Sequence, residues 1–176
     1  MKKCIFLFLM IIVIYALIGS AVTKSNLIPD EAIRIRVIAN SNSDYDQTIK
    51  LKVKDQIQLD MYSILKDAEN IEEARERITN NLVNVKNSID NILRKQNYNM
   101  PFTINFGLNY FPEKEFKGIK YDEGYYESVV VTLGEGLGDN WWCVLFPPLC
   151  LIEAEESELS DVEYTTLVQT ILDKYF

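Results

Sequence analysis

Hydrophobic and polar residues alternate over Ile33–Ala39, near the start of the charged part of the chain. Isoleucine and valine occupy one set of alternate positions, and Arg34 and Arg36 occupy the other. Because successive side chains of a strand point to opposite faces of its sheet, this pattern predicts a strand with one apolar face.

A turn and a long helix are predicted next. Asn40–Asp44 consists of short polar residues, which bind nearby backbone amides and cap helices. From Tyr45 to Lys66, apolar residues recur every three or four positions and form one buried stripe. The members of the stripe are Ile49, Val53, Ile57, Met61 and Ile64. Leu51 and Leu59 lie off it, so we expect a second face of this helix to be partly covered.

A second helix is predicted from Asn70 to Gln96. Asn70 can cap its first amides, and Glu73 occupies the position of a capping box. Its apolar positions are Ile71, Ala74, Ile78, Leu82, Val85, Ile89 and Ile92. Packing on the domain's own sheet is the favoured interpretation, and a short coiled-coil seam is the alternative.

Two more strands are predicted in the second half of the chain. Phe102–Tyr110 alternates strictly, and Ser128–Leu133 is a β-branched apolar run typical of a central strand. Between them, Pro112 and Gly118 bracket a predicted loop. Gly134–Gly138 predicts a sharp turn.

The last predicted elements are an acidic, solvated loop over Glu153–Asp161 and a helix capped by Ser160. The order of elements predicts a single domain of the α/β class, with α+β as the alternative. We expect a small sheet of three or more strands packed with about three helices, after an N-terminal signal or anchor helix.

The N-terminus predicts export. Lys2 and Lys3 precede an uncharged apolar run, and small residues ending at Ala21 follow, as in a secretory signal cleaved after that residue. An uncleaved anchor is the alternative, because residues 4–22 carry no charge over nearly the thickness of a bilayer core. The predicted segments are 1–21 (signal or anchor), 22–32 (linker) and 33–176 (folded domain).

Composition narrows the chemistry. The 176 residues include no histidine, which excludes Ser-His-Asp and Cys-His catalysis and zinc sites that need imidazole. Eighteen basic against 26 acidic residues give a net charge of -8. We therefore expect no nucleic-acid partner, and membrane contact only through the N-terminal segment.

A glycine motif and a group of carboxylates could indicate catalysis, but each has another interpretation. Gly134-x-Gly136-x-Gly138 resembles a phosphate loop, but no helix is predicted after it and no Gly-Lys-Ser/Thr occurs. Carboxylates could support glycoside hydrolysis, although a solvated surface is the favoured interpretation. They are Glu113, Glu115, Asp122, Glu123 and Glu127. We expect no cofactor, no metal and no enzymatic activity.

Trp141–Cys150 contains both tryptophans and two cysteines. In an exported protein, Cys143 and Cys150 predict a disulfide, with free thiols or a reactive thiolate as alternatives. In a strand, Trp141 and Trp142 would face opposite sides, so at least one could be exposed.

Polar residues also gather at the end of the first predicted strand, where α/β folds often bind ligands. Recognition of a partner competes there with ordinary packing and ion pairing. The candidate contact residues are Arg34, Arg36, Asn40, Ser41, Lys54, Asp55, Trp141 and Trp142.

Several stretches resemble one family. Arg34–Ser43 and Leu51–Asp55 are similar to the N-terminal block of the stage II sporulation protein R family, and Asn140–Cys150 is similar to its C-terminal signature. Phe111–Lys114 and Gly124–Ser128 also fit.

The resemblance implies an exported, non-enzymatic signalling protein of endospore-forming bacteria. It implies a partner, the membrane-embedded aspartic protease that processes pro-sigma-E, and a location between the forespore and mother-cell membranes. It implies activation by binding to the extracytoplasmic part of that protease. The alternatives are a carboxylate-based cell-wall hydrolase and an anchored structural protein of the envelope.

Overall fold

The computed structural model describes Met10 and residues 31–116 and 119–148. The chain divides into two units between residues 30 and 31, and the elements below all belong to the second. Apart from Met10, the predicted signal segment lies outside the described residues, and so do the acidic loop and the last helix. Among the residues that are described, no helix is both long and apolar enough to cross a membrane.

The described part of the chain has an α+β architecture of two helices and six strands. The elements are β1 (Ile33–Ile38), α1 (Asp44–Leu65), α2 (Ile71–Lys95), β2 (Phe102–Phe111), β3 (Lys114–Phe116), β4 (Ile119–Tyr121), β5 (Gly124–Leu133) and β6 (Asn140–Phe146). The two helices and the strands β1 and β2 agree with the prediction to within a residue or two. Three features were not predicted: the hairpin β3–β4, of which only β3 lies between Pro112 and Gly118, the early start of β5, and the strand β6.

Side-chain caps begin both helices where the sequence predicts them. Ser43 Oγ accepts a hydrogen bond from the Asp46 amide at 3.2 Å, at the start of α1. Asn70 Oδ1 accepts one from the Glu73 amide at 2.9 Å, and Glu73 in turn accepts one from the Glu69 amide at 3.0 Å. These bonds satisfy amides that have no partner within the helix.

Four strands form a mixed sheet in the order β2-β5-β1-β6. β1 runs parallel to β5 and antiparallel to β6, and β5 is antiparallel to β2. The predicted central position of Ser128–Leu133 is therefore confirmed. β5 begins at Gly124 because it pairs with β2 along the whole length of that strand.

Both helices cover one face of this sheet and enclose the core. Ile35 of β1 and Ile57 of α1 are almost fully buried in one apolar cluster. The expected second covered face of α1 is wrong. Leu51 and Leu59 are 49% and 61% exposed, because the buried stripe alone faces α2 and the sheet.

Replacing Ile57 with alanine should lower the free energy of unfolding by about 2–5 kcal/mol, because the change removes buried methyl groups and leaves a cavity. Leu59→Ala, two residues along the same helix, is the matched control. It should lower the free energy of unfolding by no more than about 0.5 kcal/mol. Urea unfolding followed by circular dichroism measures both. Equal losses in the two variants would contradict this packing.

Candidate functional site

The sheet face away from the helices carries a buried arginine. Arg34 is only 7% exposed, and its guanidinium carbon lies 3.3 Å from the centroid of the Tyr126 ring. The rings of Trp142 and Phe111 lie 5.6 and 5.9 Å from the same carbon. Attraction between the cation and these ring faces offsets part of the cost of removing the charge from water.

Arg36 lies two residues further along the same face. Its Nη1 donates a hydrogen bond to the backbone oxygen of Tyr110 at 3.2 Å, and its guanidinium carbon is 5.3 Å from the Phe111 ring centroid. Its Nε is buried without a hydrogen-bond partner among the described residues. Burial lowers the pKa of Arg36, although an arginine remains protonated at any physiological pH.

These arginines line a cavity of about 450 Å³. The hairpin β3–β4 contributes Lys114 and Tyr121 to its lining. The Tyr121 and Trp142 rings meet edge to face, with centroids 5.0 Å apart. Burial raises the pKa of the Tyr121 hydroxyl, and the charge of Arg34 partly opposes this. The full lining is Arg34, Arg36, Phe111, Pro112, Glu113, Lys114, Tyr121, Asp122, Asp139, Asn140 and Trp142.

The two tryptophans point to opposite faces of β6. Trp142 pairs with Arg36 of β1 and lines the cavity, whereas Trp141 packs against the core on the helix side. The Lys54 ammonium lies 5.8 Å from the Trp141 ring centroid and 2.7 Å from a carboxylate oxygen of Asp55. Trp141, Lys54 and Asp55 therefore form a second cluster, away from the cavity.

Asn40 and Ser41 form a joint between the start of α1 and the glycine-rich turn. Asn40 Nδ2 and Ser41 Oγ both donate to Asp46 Oδ2, at 2.9 and 2.5 Å. Asn40 Oδ1 accepts a hydrogen bond from the Glu135 amide at 3.0 Å. Gly134 has a φ of +56°, and a side chain there would clash with the Asn40 amide oxygen. Neither Asn40 nor Ser41 lines the cavity.

Three of the eight candidate contact residues thus meet in one place, namely Arg34, Arg36 and Trp142. The sequence did not identify Phe111 and Tyr121, which supply the remaining aromatic lining, or Tyr126, whose ring contacts Arg34. Phe111 and Tyr126 lie in stretches that carry the family resemblance, which could have drawn attention to them.

Cys143 is disulfide-bonded. The predicted partner, Cys150, lies outside the described residues, so this pairing stays a prediction.

Two of the carboxylates suggested for hydrolysis have partners outside the cavity lining, while Glu113 and Asp122 line the cavity. Arg75 donates to both oxygens of Glu127, at 2.9 and 3.0 Å. The Tyr110 hydroxyl donates to Glu123 at 2.6 Å. Within residues 31–116 and 119–148, no group of three or more acidic or cysteine side chains could hold a metal ion.

Two comparisons with known proteins identify the same family. Residues 29–156 match the family model described as stage II sporulation protein R. A protein of Bacillus subtilis (strain 168) named "Stage II sporulation protein R" is 39% identical over 170 residues, which cover 90% of this chain and 75% of that protein. No solved structure matches. The match to the family model spans every residue that lines the cavity.

The joint at Asp46 should make stability depend on pH. Hydrogen bonds from Ser41 and Asn40 hold the pKa of the buried Asp46 carboxyl below its ordinary value of 3.8. The ionised group therefore stabilises the fold above about pH 3.8, and this contribution is lost as the pH falls through the lower folded-state value. In Asp46→Asn, the free energy of unfolding in urea should fall less between pH 5 and pH 3 than in the wild type.

Asp67→Asn is the control, since it removes one carboxylate from an exposed turn. An Asp46→Asn variant with the acid sensitivity of the wild type would show that the joint contributes nothing to it.

Proposed function

Because this chain belongs to the stage II sporulation protein R family, we propose that it is an exported signal that activates the membrane-embedded aspartic protease processing pro-sigma-E. Residues 1–21 direct the chain across the forespore membrane, as a cleaved signal or as an anchor. The folded domain then binds the extracytoplasmic part of the protease in the space between the two sporulation membranes.

The cavity on the sheet face opposite the two described helices is the observation that supports binding most directly. Tryptophan, tyrosine and arginine dominate the energetics of protein interfaces, particularly in desolvated pockets. Here Trp142, Tyr121 and Arg36 line one cavity, on the face of the sheet opposite the two helices. A ligand activates its receptor only by binding the active state more tightly than the inactive one. A surface held by a sheet suits this role, because it costs little ordering on binding.

The partners of the carboxylates favour binding over hydrolysis. A glycosidase needs two carboxyl groups that face each other across a substrate, one of them with a raised pKa. Glu127 is paired with Arg75, and Glu123 accepts a hydrogen bond from Tyr110. Glu113 and Asp122 do line the cavity, but Arg34, Arg36 and Lys114 line it with them and supply opposite charges. We therefore favour a role for the domain that involves no bond chemistry.

Replacing Trp142 with alanine should reduce pro-sigma-E processing by about tenfold or more, since truncating an aromatic anchor in an interface costs about 2 kcal/mol or more. Trp142→Phe should keep most of the activity, because it preserves an aromatic wall. The assay is co-expression with the protease and pro-sigma-E in cells without other sporulation proteins, with the processed fraction read by immunoblot.

Val83→Ala is the control, because Val83 is exposed on α2, far in sequence from the cavity residues. The amount of exported protein is measured in parallel. Normal processing by a Trp142→Ala protein that is exported normally would remove the cavity from the binding surface. Absence of any processing with the wild type would refute the proposed function itself.

A further inference from the structure

Arg36 forms no ion pair among the described residues, whereas three other arginines do. Arg75, Arg77 and Arg94 each have a carboxylate oxygen within 3.0 Å. Arg36 has none within 4.0 Å in the described part of the chain, although the protein contains 26 acidic residues. Its one hydrogen bond there goes to the backbone oxygen of Tyr110. The charge is therefore half-buried without a counter-ion among the described residues.

Such an arrangement costs free energy, because a desolvated charge with an unused donor loses its hydration without an equivalent replacement. A guanidinium is matched best by a carboxylate, which accepts two parallel hydrogen bonds from it. Arg36 lines the cavity, so an incoming group can reach its charge.

The rest of the lining limits what that group can be. Glu113, Asp122 and Asp139 line the cavity together with Arg34, Arg36 and Lys114, so its acidic and basic side chains are equal in number. A singly charged carboxylate therefore leaves a smaller excess of negative charge there than a dianion such as a phosphate does. The rings of Phe111 and Trp142, 6.2 Å apart, provide an apolar wall for a neighbouring side chain.

We infer that this cavity receives an aspartate or glutamate side chain of the partner protein, followed or preceded by an apolar residue. The carboxylate pairs with Arg36, and the apolar residue packs on Trp142 and Phe111. The inference rests on the proposed function, because it names the chemistry of the protease segment that binds there.

Reversal of the charge provides a direct test in the co-expression assay. Arg36→Glu should lower processing by about tenfold or more, because a favourable pair is replaced by two like charges. A panel of protease variants, each with one extracytoplasmic Asp or Glu changed to Lys, is then combined with Arg36→Glu. At least one variant should restore processing to within about threefold of the wild-type pair, which is less than 1 kcal/mol.

Arg94→Glu is the matched control, because the Arg94 side chain is 78% exposed and lies outside the cavity lining. It should leave processing unchanged. If no protease variant restores the function of Arg36→Glu, the carboxylate pairing is wrong.

A second measurement covers the case in which Arg36→Glu fails to fold. Arg36→Met keeps an unbranched side chain as far as the position of Nε and removes the charge, while Arg36→Lys keeps the charge. With the full-length exported protein and the purified protease, Arg36→Met should bind about tenfold more weakly than the wild type. Arg36→Lys should fall in between, and the loss for Arg36→Met should shrink at high salt.

The outcomes separate the two proposals. If the wild-type protein binds and activates the protease but Arg36→Met does so equally well, the carboxylate inference is overturned and the proposed function stands. If the wild-type protein neither binds nor activates the protease, the proposed function itself is wrong.

Discussion

Strand β1 has to fit two different environments at once, because the two described helices lie on one face of its sheet. Its odd-numbered residues, such as Ile35, enter the apolar core between the sheet and the helices. Its even-numbered residues, Arg34 and Arg36, must find stabilising contacts on the other face, between two hydrogen-bonded neighbouring strands. Aromatic rings from β2, β5 and β6 provide those contacts for Arg34. The cavity is thus a direct consequence of placing arginines in the centre of a sheet.

The same alternation separates the cavity from the apolar core. On the side of the two described helices, Trp141 packs against the core near Lys54, and on the opposite face Trp142 lines the cavity. The asparagine- and serine-rich turn fixes the start of α1 and the glycine-rich turn by hydrogen bonds to Asp46 and Glu135. Residues close in sequence therefore have different roles, because the face of the strand decides which surroundings each side chain meets.

Patterns among residues close together in the sequence predicted most of the fold. The alternation in β1 and β2, the apolar stripes of both helices and the caps at Ser43 and Asn70 all depend on residues a few positions apart. β6 was missed, because tryptophans, cysteines and prolines within ten residues indicate a disulfide loop as readily as a strand. Its pairing with β1 joins residues more than 100 positions apart, as in Ile35 with Cys143. The cavity depends on that pairing and on the hairpin β3–β4, so only its arginines and Trp142 were foreseen.

The order of the strands also bears on how such a chain could cross a membrane. β1 is the first strand of the described residues, yet both of its neighbours, β5 and β6, come from residues 124–146. Contacts between residues so far apart in the sequence form slowly and late in folding. A chain threaded across a bilayer from its N-terminus could therefore not complete its sheet until most of its length had emerged. Until then, β1 would lack both of its neighbouring strands.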